Sequence, residues 1–112
     1  MFKGMGGLGN VANVLKEAGK MKARMEALQG ELAAMSVEGS SGGGVVKVKA
    51  NGLQEILSVE IDDEVCRAAD KAMLQDLVAA AANAALSSSR ALARDEMAKI
   101  TAGLNLDIPG LT

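Results

Sequence analysis

Histidine, tryptophan and tyrosine are absent from this chain of 112 residues, and phenylalanine, cysteine and proline occur once each. Without histidine the commonest general base and the commonest metal ligand are gone. Asp62, Asp63 and Glu64 form an acidic run, but nothing beside them in sequence completes a cation loop or an acid/base pair. The Ser40–Gly44 stretch has no following helix and no Lys-Ser/Thr pair, so it is not a phosphate-binding loop. No enzyme, no metal site and no cofactor is expected. Cys66 stands alone and cannot close an intramolecular disulfide, which fits a reducing cytosol; it reads as a small buried hydrophobe. No run of 18 apolar residues exists, so no membrane span is expected. The start has Lys3 and then Gly4, Gly6, Gly7 and Gly9. It lacks the apolar segment of a signal peptide.

With one aromatic residue, Phe2, the core has to come from Leu, Val, Ile, Met and Ala. No aromatic residue interleaves Lys16, Lys20 and Arg24, so base stacking is not on offer there. Length predicts a single domain over 1–112, with 1–10 a mobile Gly-rich start and 104–112 a mobile tail. A core of this size is modest, so dimerisation is a plausible source of further buried area.

What the chain does have is a meander between two helical stretches. Val45–Ala50 alternates apolar and basic residues, the period of a half-buried strand, with Val46, Val48 and Ala50 on one face and Val45, Lys47 and Lys49 on the other. Asn51-Gly52 predicts a type I′ hairpin turn, in which both central residues take positive φ. Leu53–Ile61 resumes the alternation and puts Leu57, Val59 and Ile61 on one face. Val37–Ser40 predicts a shorter strand joined through Ser41-Gly42-Gly43-Gly44. Residues from Ile61 to about Ala69 predict a short turn or helix. One apolar and one charged face predict helices packed on one side only.

Val11–Met35 predicts a helix with Asn10 as its N-cap. Val11, Val14, Ala18, Met21, Met25, Leu28, Leu32 and Met35 recur at alternating spacings of three and four, a heptad seam suited to one partner helix. Gly30 is its weak point, costing about 1 kcal/mol against alanine. Asp70 predicts the N-cap of a second long helix, Lys71–Thr101, with Gly103 at its end. Leu74, Leu77, Val78, Ala81, Ala85, Ser88 and Leu92 share one face. Its middle is small on almost every side, which favours close approach by neighbours, so Leu77, Ala81, Asn83, Ala84 and Ala85 are candidates for a dimer interface. Asn83 reads either as an exposed polar residue or as an interfacial hydrogen bond that fixes register. The expected fold class is therefore α+β: long N-terminal helix, three-stranded antiparallel meander and long C-terminal helix (α-β3-α), expected to be dimeric if the heptad seam takes a helix of a second subunit rather than the C-terminal helix of the same chain.

The formal net charge of −2 hides an asymmetry. Residues 1–25 carry Lys3, Lys16, Lys20, Lys22 and Arg24 against Glu17 alone, whereas residues 50–76 carry seven acids against Arg67 and Lys71. Lys16, Lys20 and Arg24 recur every four residues, well off the apolar seam. They read as a solvated face or as a phosphate-contacting stripe. Arg90 and Arg94, one turn apart, are a second basic patch, nearly cancelled by Asp95 and Glu96. Lys47 and Lys49 are minor candidates.

The order of these elements, with particular words inside them, resembles the YbaB/EbfC family of nucleoid-associated proteins. The Met1–Asn10 stretch, the Met/Gln/Glu-rich Met21–Leu32, Val37-Glu38-Gly39, Gly42–Val48 followed by Asn51-Gly52, Val59-Glu60-Ile61-Asp62 and Leu74–Ala81 with Asn83 and Ala84 carry the resemblance over about 100 residues. The resemblance implies a bacterial, cytosolic, nucleoid-located homodimer, tweezer-like with projecting helices, that binds DNA with low sequence specificity and without enzymatic activity. It implies an effect on gene expression or nucleoid organisation, no membrane and no small-molecule substrate. Two departures stand out: Asp63 where the family often has proline, and Ser87-Ser88-Ser89 with Ala91 where members tend to carry more charge. The second turns attention to the first helix. Expected DNA contacts are Lys3, Lys16, Lys20, Lys22, Arg24, Arg90 and Arg94. The alternative is a protein-protein interaction module using the heptad helix or the Ala-rich helix.

Overall fold

A computed structural model describes residues 3–68 and 70–103. The elements run α1 (Lys3–Ala34), β1 (Ser36–Ser41), β2 (Val46–Asn51), β3 (Ile56–Ile61), α2 (Asp63–Arg67) and α3 (Lys71–Gly103). This is the expected α-β3-α order. Two compact units make up the chain, Met1–Gly30 and Glu31–Thr112. The tail at 104–112 and the expected end of the short helix at Ala69 lie outside the described residues.

The strands form one antiparallel sheet in the order β1-β2-β3. β2 is central, and its alternation decides the core: Val46, Val48 and Ala50 are fully buried, Lys47 and Lys49 exposed. Each buried valine contributes roughly 1.5–3 kcal/mol. The buried face of β2 and the adjoining face of β1 pack against Ala81 and Ala85 of α3, with Val37, Leu77 and Val78 around them. Small residues let the helix come close. A Cβ on Gly39 of β1 would lie 2.2 Å from Ala85 N and 2.5 Å from Ala81 O, so only glycine fits there. Ser41 Oγ donates to Leu77 O at 2.6 Å and pins the end of β1 to the same helix.

The β1–β2 turn is as read: Gly42, Gly43 and Gly44 take φ of 62, 75 and 100, and Gly44 N–H donates to Ser41 O at 3.1 Å. Asp70 caps α3, its Oδ1 accepting from Met73 N–H at 3.0 Å, and Asp62 caps α2 through Glu64 N–H at 3.1 Å.

Five expectations need correction. The first helix begins at Lys3, so Asn10 lies inside it; glycine lowers helix propensity without forbidding the geometry, and no proline interrupts the run. The Asn51-Gly52 pair is not a type I′ turn. Asn51 belongs to β2, and between β2 and β3 the positive φ is Gln54's, at 63. The third strand starts at Ile56 and carries a register shift: Lys49 pairs with Ser58 and Ala50 with Ile56, leaving Leu57 as the extra residue of a bulge. On α3 the buried serine is Ser89, fully buried, while Ser88 is exposed. The inward face there steps by four, through Ala81, Ala85 and Ser89. Cys66 is exposed rather than buried; in the five-residue α2 it is Val65 that turns inward.

Candidate nucleic-acid interface

The first unit consists of α1 up to Gly30. From Asn10 to Lys20 every residue is exposed, and burial along the apolar seam grows only towards its end. Val11, Val14 and Ala18 are exposed, Met21 and Met25 half-buried, and Leu28 is 1 % exposed. Lys16, Lys20, Lys22 and Arg24 are all exposed. Lys16, Lys20 and Arg24 stand one turn apart along one side of a continuous helix. At a rise of about 1.5 Å per residue they span roughly 12 Å, the length of duplex that carries about seven phosphate charges. Lys20 also meets Glu17 at 3.6 Å, with both side chains about three-fifths exposed. Such a surface pair contributes at most about 1 kcal/mol and yields readily to a phosphate. Lys22 projects from another side of the helix. Lys3 opens α1, and its side chain lies outside the described residues.

In the second unit acids outnumber cations. Arg90 and Arg94 are exposed on α3. Further along, Lys99 Nζ hydrogen-bonds Glu96 Oε1 at 2.9 Å. That bond, reinforced by the same carboxylate's charge, raises the Lys99 pKa above its ordinary value. On the sheet, Lys47 sits across from Glu60 in the β2–β3 register. An open depression of about 440 Å³ beside this pair is lined by Gly44, Val45, Ile61, Asp62 and Asp63, a surface of mostly negative sign. Among the described residues no group of three or more His, Cys, Asp or Glu side chains could hold a metal ion, and no helix is long and apolar enough to cross a membrane.

The residues expected at a dimer interface fall into two groups. Ala81 and Ala85 are fully buried against the protomer's own sheet, and Leu77 is half-buried beside them. Those two alanines are core. Asn83 and Ala84 are exposed on the other side of α3.

Reasoning from sequence missed the loop between β2 and β3. Asn51 is 4 % exposed, and its Oδ1 accepts from Leu53 N–H at 2.9 Å and Glu55 N–H at 3.1 Å. Its Nδ2 donates to Glu55 Oε1 at 2.8 Å. Ser89 Oγ donates to Asn51 O at 2.7 Å and accepts from Gln54 N–H at 3.0 Å. The available signal was the four-residue step from Ala81 and Ala85 to Ser89.

The chain is similar to a nucleoid-associated protein of Clostridium novyi, 47% identical over 110 residues that cover 98% of this chain and 95% of that one. A nucleoid-associated protein of Moorella thermoacetica is 47% identical over 104 residues, covering 93% of this chain and 98% of its own. The crystal structure of an uncharacterized protein, HP0035, from Helicobacter pylori superposes with a TM-score of 0.70 at 24% identity, over 79% of this chain and 92% of that one. That likeness concerns the fold alone. The model of the YbaB/EbfC DNA-binding family matches residues 5–104, and the chain belongs to that family.

Proposed function

We propose that this chain binds DNA as a homodimer through phosphate contacts along α1, with low sequence specificity, at the nucleoid in the bacterial cytoplasm. The observation that carries this reading is the exposed Lys16, Lys20 and Arg24 stripe, on a chain of a DNA-binding family. Charges in a row meet phosphates, which carry no base identity, so binding on such a surface is largely indifferent to sequence. The outcome would be nucleoid organisation or altered gene expression, with no cofactor, small-molecule substrate or membrane involved. Arg90 and Arg94 are secondary contacts.

The second copy has a surface available to it. β3 is an edge strand, and Ile56, Leu57 and Val59 are 44%, 55% and 45% exposed. Edge strands without proline or lysine are ordinarily covered. Asn83 and Ala84 remain candidates on α3; Ala81 and Ala85 do not. Val59→Asp should lower the mass in solution from two chains to one.

The test is a salt series of anisotropy titrations on two unrelated duplexes, with the dimer mass measured alongside. Steep salt dependence and similar affinities are expected. Strong preference for one duplex, or affinity insensitive to salt, would contradict the reading. A protein-protein interaction module is the second reading, favoured by Val11, Val14 and Leu15 at 51%, 66% and 67% exposure on α1. Under it the purified protein is not retained on DNA even at low salt.

A further inference from the structure

Residues 51–55 do more than reverse the chain. A two-residue turn would connect two antiparallel strands; here the connection reaches two helices as well. On one side, Gly52 N–H donates to Leu32 O at 2.8 Å, in the last turn of α1. A Cβ on Gly52 would lie 2.8 Å from that oxygen and 2.8 Å from Leu32 Cδ2, so glycine is needed for the approach and not for its φ. On the other side, the buried Ser89 hydroxyl of α3 bonds both Asn51 O and Gln54 N–H. Gln54 holds φ 63, a left-handed conformation that is unfavourable for a non-glycine residue. Asn51 is buried, and its side-chain amide makes three hydrogen bonds within the loop.

We propose that Ser89 and Gly52 are positioning residues for DNA binding: through residues 51–55 they clamp the last turn of α1 to α3, and so hold the helix that bears Lys16, Lys20 and Arg24. This rests on the reading of α1 as the DNA-contacting helix. A helix already ordered by its anchored end spends less entropy on meeting DNA. Loosening the anchor weakens binding while every cation still meets its phosphate. The dissociation constant therefore rises while the log–log salt slope stays put, which separates a positioning role from direct charge neutralisation.

The experiment uses the full chain with Cys66→Ser, spin-labelled at Ala23→Cys and Ala79→Cys and diluted into unlabelled protein. The width of the label-to-label distance distribution is compared with DNA affinity, for wild type and Ser89→Ala, below the melting point of both. Ser89→Ala should broaden the distribution and weaken DNA binding by roughly threefold to thirtyfold, at an unchanged salt slope. Gly52→Ala attacks the clamp from the α1 side and should act in the same direction; it carries the test if Ser89→Ala does not fold. Gln54→Gly relieves the left-handed φ, keeps every bond to Ser89, and should match wild type in both readouts. An unchanged distribution, or a broadened one with unchanged affinity, overturns the proposal. A wild-type chain that fails to bind DNA overturns both this and the function above. A wild type that binds, with Ser89→Ala binding equally well, overturns only the clamp.

Discussion

α1 and α3 are nearly equal in length, 32 and 33 residues, and opposite in use. In α3 the residues that matter most are its smallest. Ala81, Ala85 and Ser89 form a four-residue ladder with no exposed surface, pressed against β1, β2 and the loop at 51–55. In α1 between Asn10 and Lys20 nothing is buried, and Lys16, Lys20, Lys22 and Arg24 stand on that bare length and the turn after it. One helix closes a core by close approach; the other keeps its surface for solvent or a partner. Helices of nearly equal length, with four leucines each, thus serve different ends. The difference lies in what faces each helix: a sheet with Gly39 at the contact for α3, and water for most of α1.

The largest test of that contrast is Gly39→Ala. The added methyl meets backbone atoms of Ala81 and Ala85 inside 2.8 Å, and backbone cannot rotate away. Overpacking of this kind costs about 3 kcal/mol or more. A melting point lower by at least roughly 10 °C is expected in thermal denaturation. A fall of only a degree or two would mean that α3 does not close on β1 as tightly as its ladder requires.

Removing charge from α1 should do the reverse, changing binding and sparing stability. Lys16→Ala, Lys20→Ala and Arg24→Ala are exposed helix substitutions, each within about ±0.5 kcal/mol in folding stability. Combined, they should flatten the salt slope of DNA binding by roughly 0.9 for each phosphate that each copy no longer neutralises. Arg90→Ala with Arg94→Ala should flatten it less. An unchanged slope in the α1 triple variant would move the DNA surface elsewhere on the protein.

Much of this architecture could be read from the residues, because strong signals lay close together. The alternation of Val46, Val48 and Ala50 against Lys47 and Lys49 placed the central strand. Three consecutive glycines placed the tight turn, and Asp70 placed the start of α3. The misreadings share one physical origin, that small residues carry little patterning. In an Ala/Ser-rich helix no large side chain fixes the phase, so a heptad spacing drew Ser88 inward where the four-residue ladder takes Ser89. Asn51-Gly52 is a turn signal when φ decides, but here Gly52 is required by the closeness of Leu32 and Asn51 by the polar groups around it. Cys66 was assigned by composition alone, and the neighbouring Val65 takes the inward position in a helix too short to bury two. The basic stripe was legible as a stripe off the apolar seam, and its side chains are exposed in the structure.

The smallest expected effect concerns a glycine of α1. Nothing lies within 4 Å of a Cβ built on Gly30, and the residue is exposed. Neither packing nor backbone conformation asks for glycine there, in contrast to Gly39. Gly30→Ala should therefore stabilise the chain by about 0.4–1 kcal/mol, chiefly by restricting the unfolded state. That is a rise of a few degrees in melting temperature. DNA affinity should not change if α1 works as a stiff rod from Leu28 to its last turn. A gain in stability joined to a loss of DNA affinity would show that the helix has to bend at Gly30, where the first compact unit ends. Gly19→Ala, with equally open space around it, then tells whether bending is needed at that one turn or along the whole basic length.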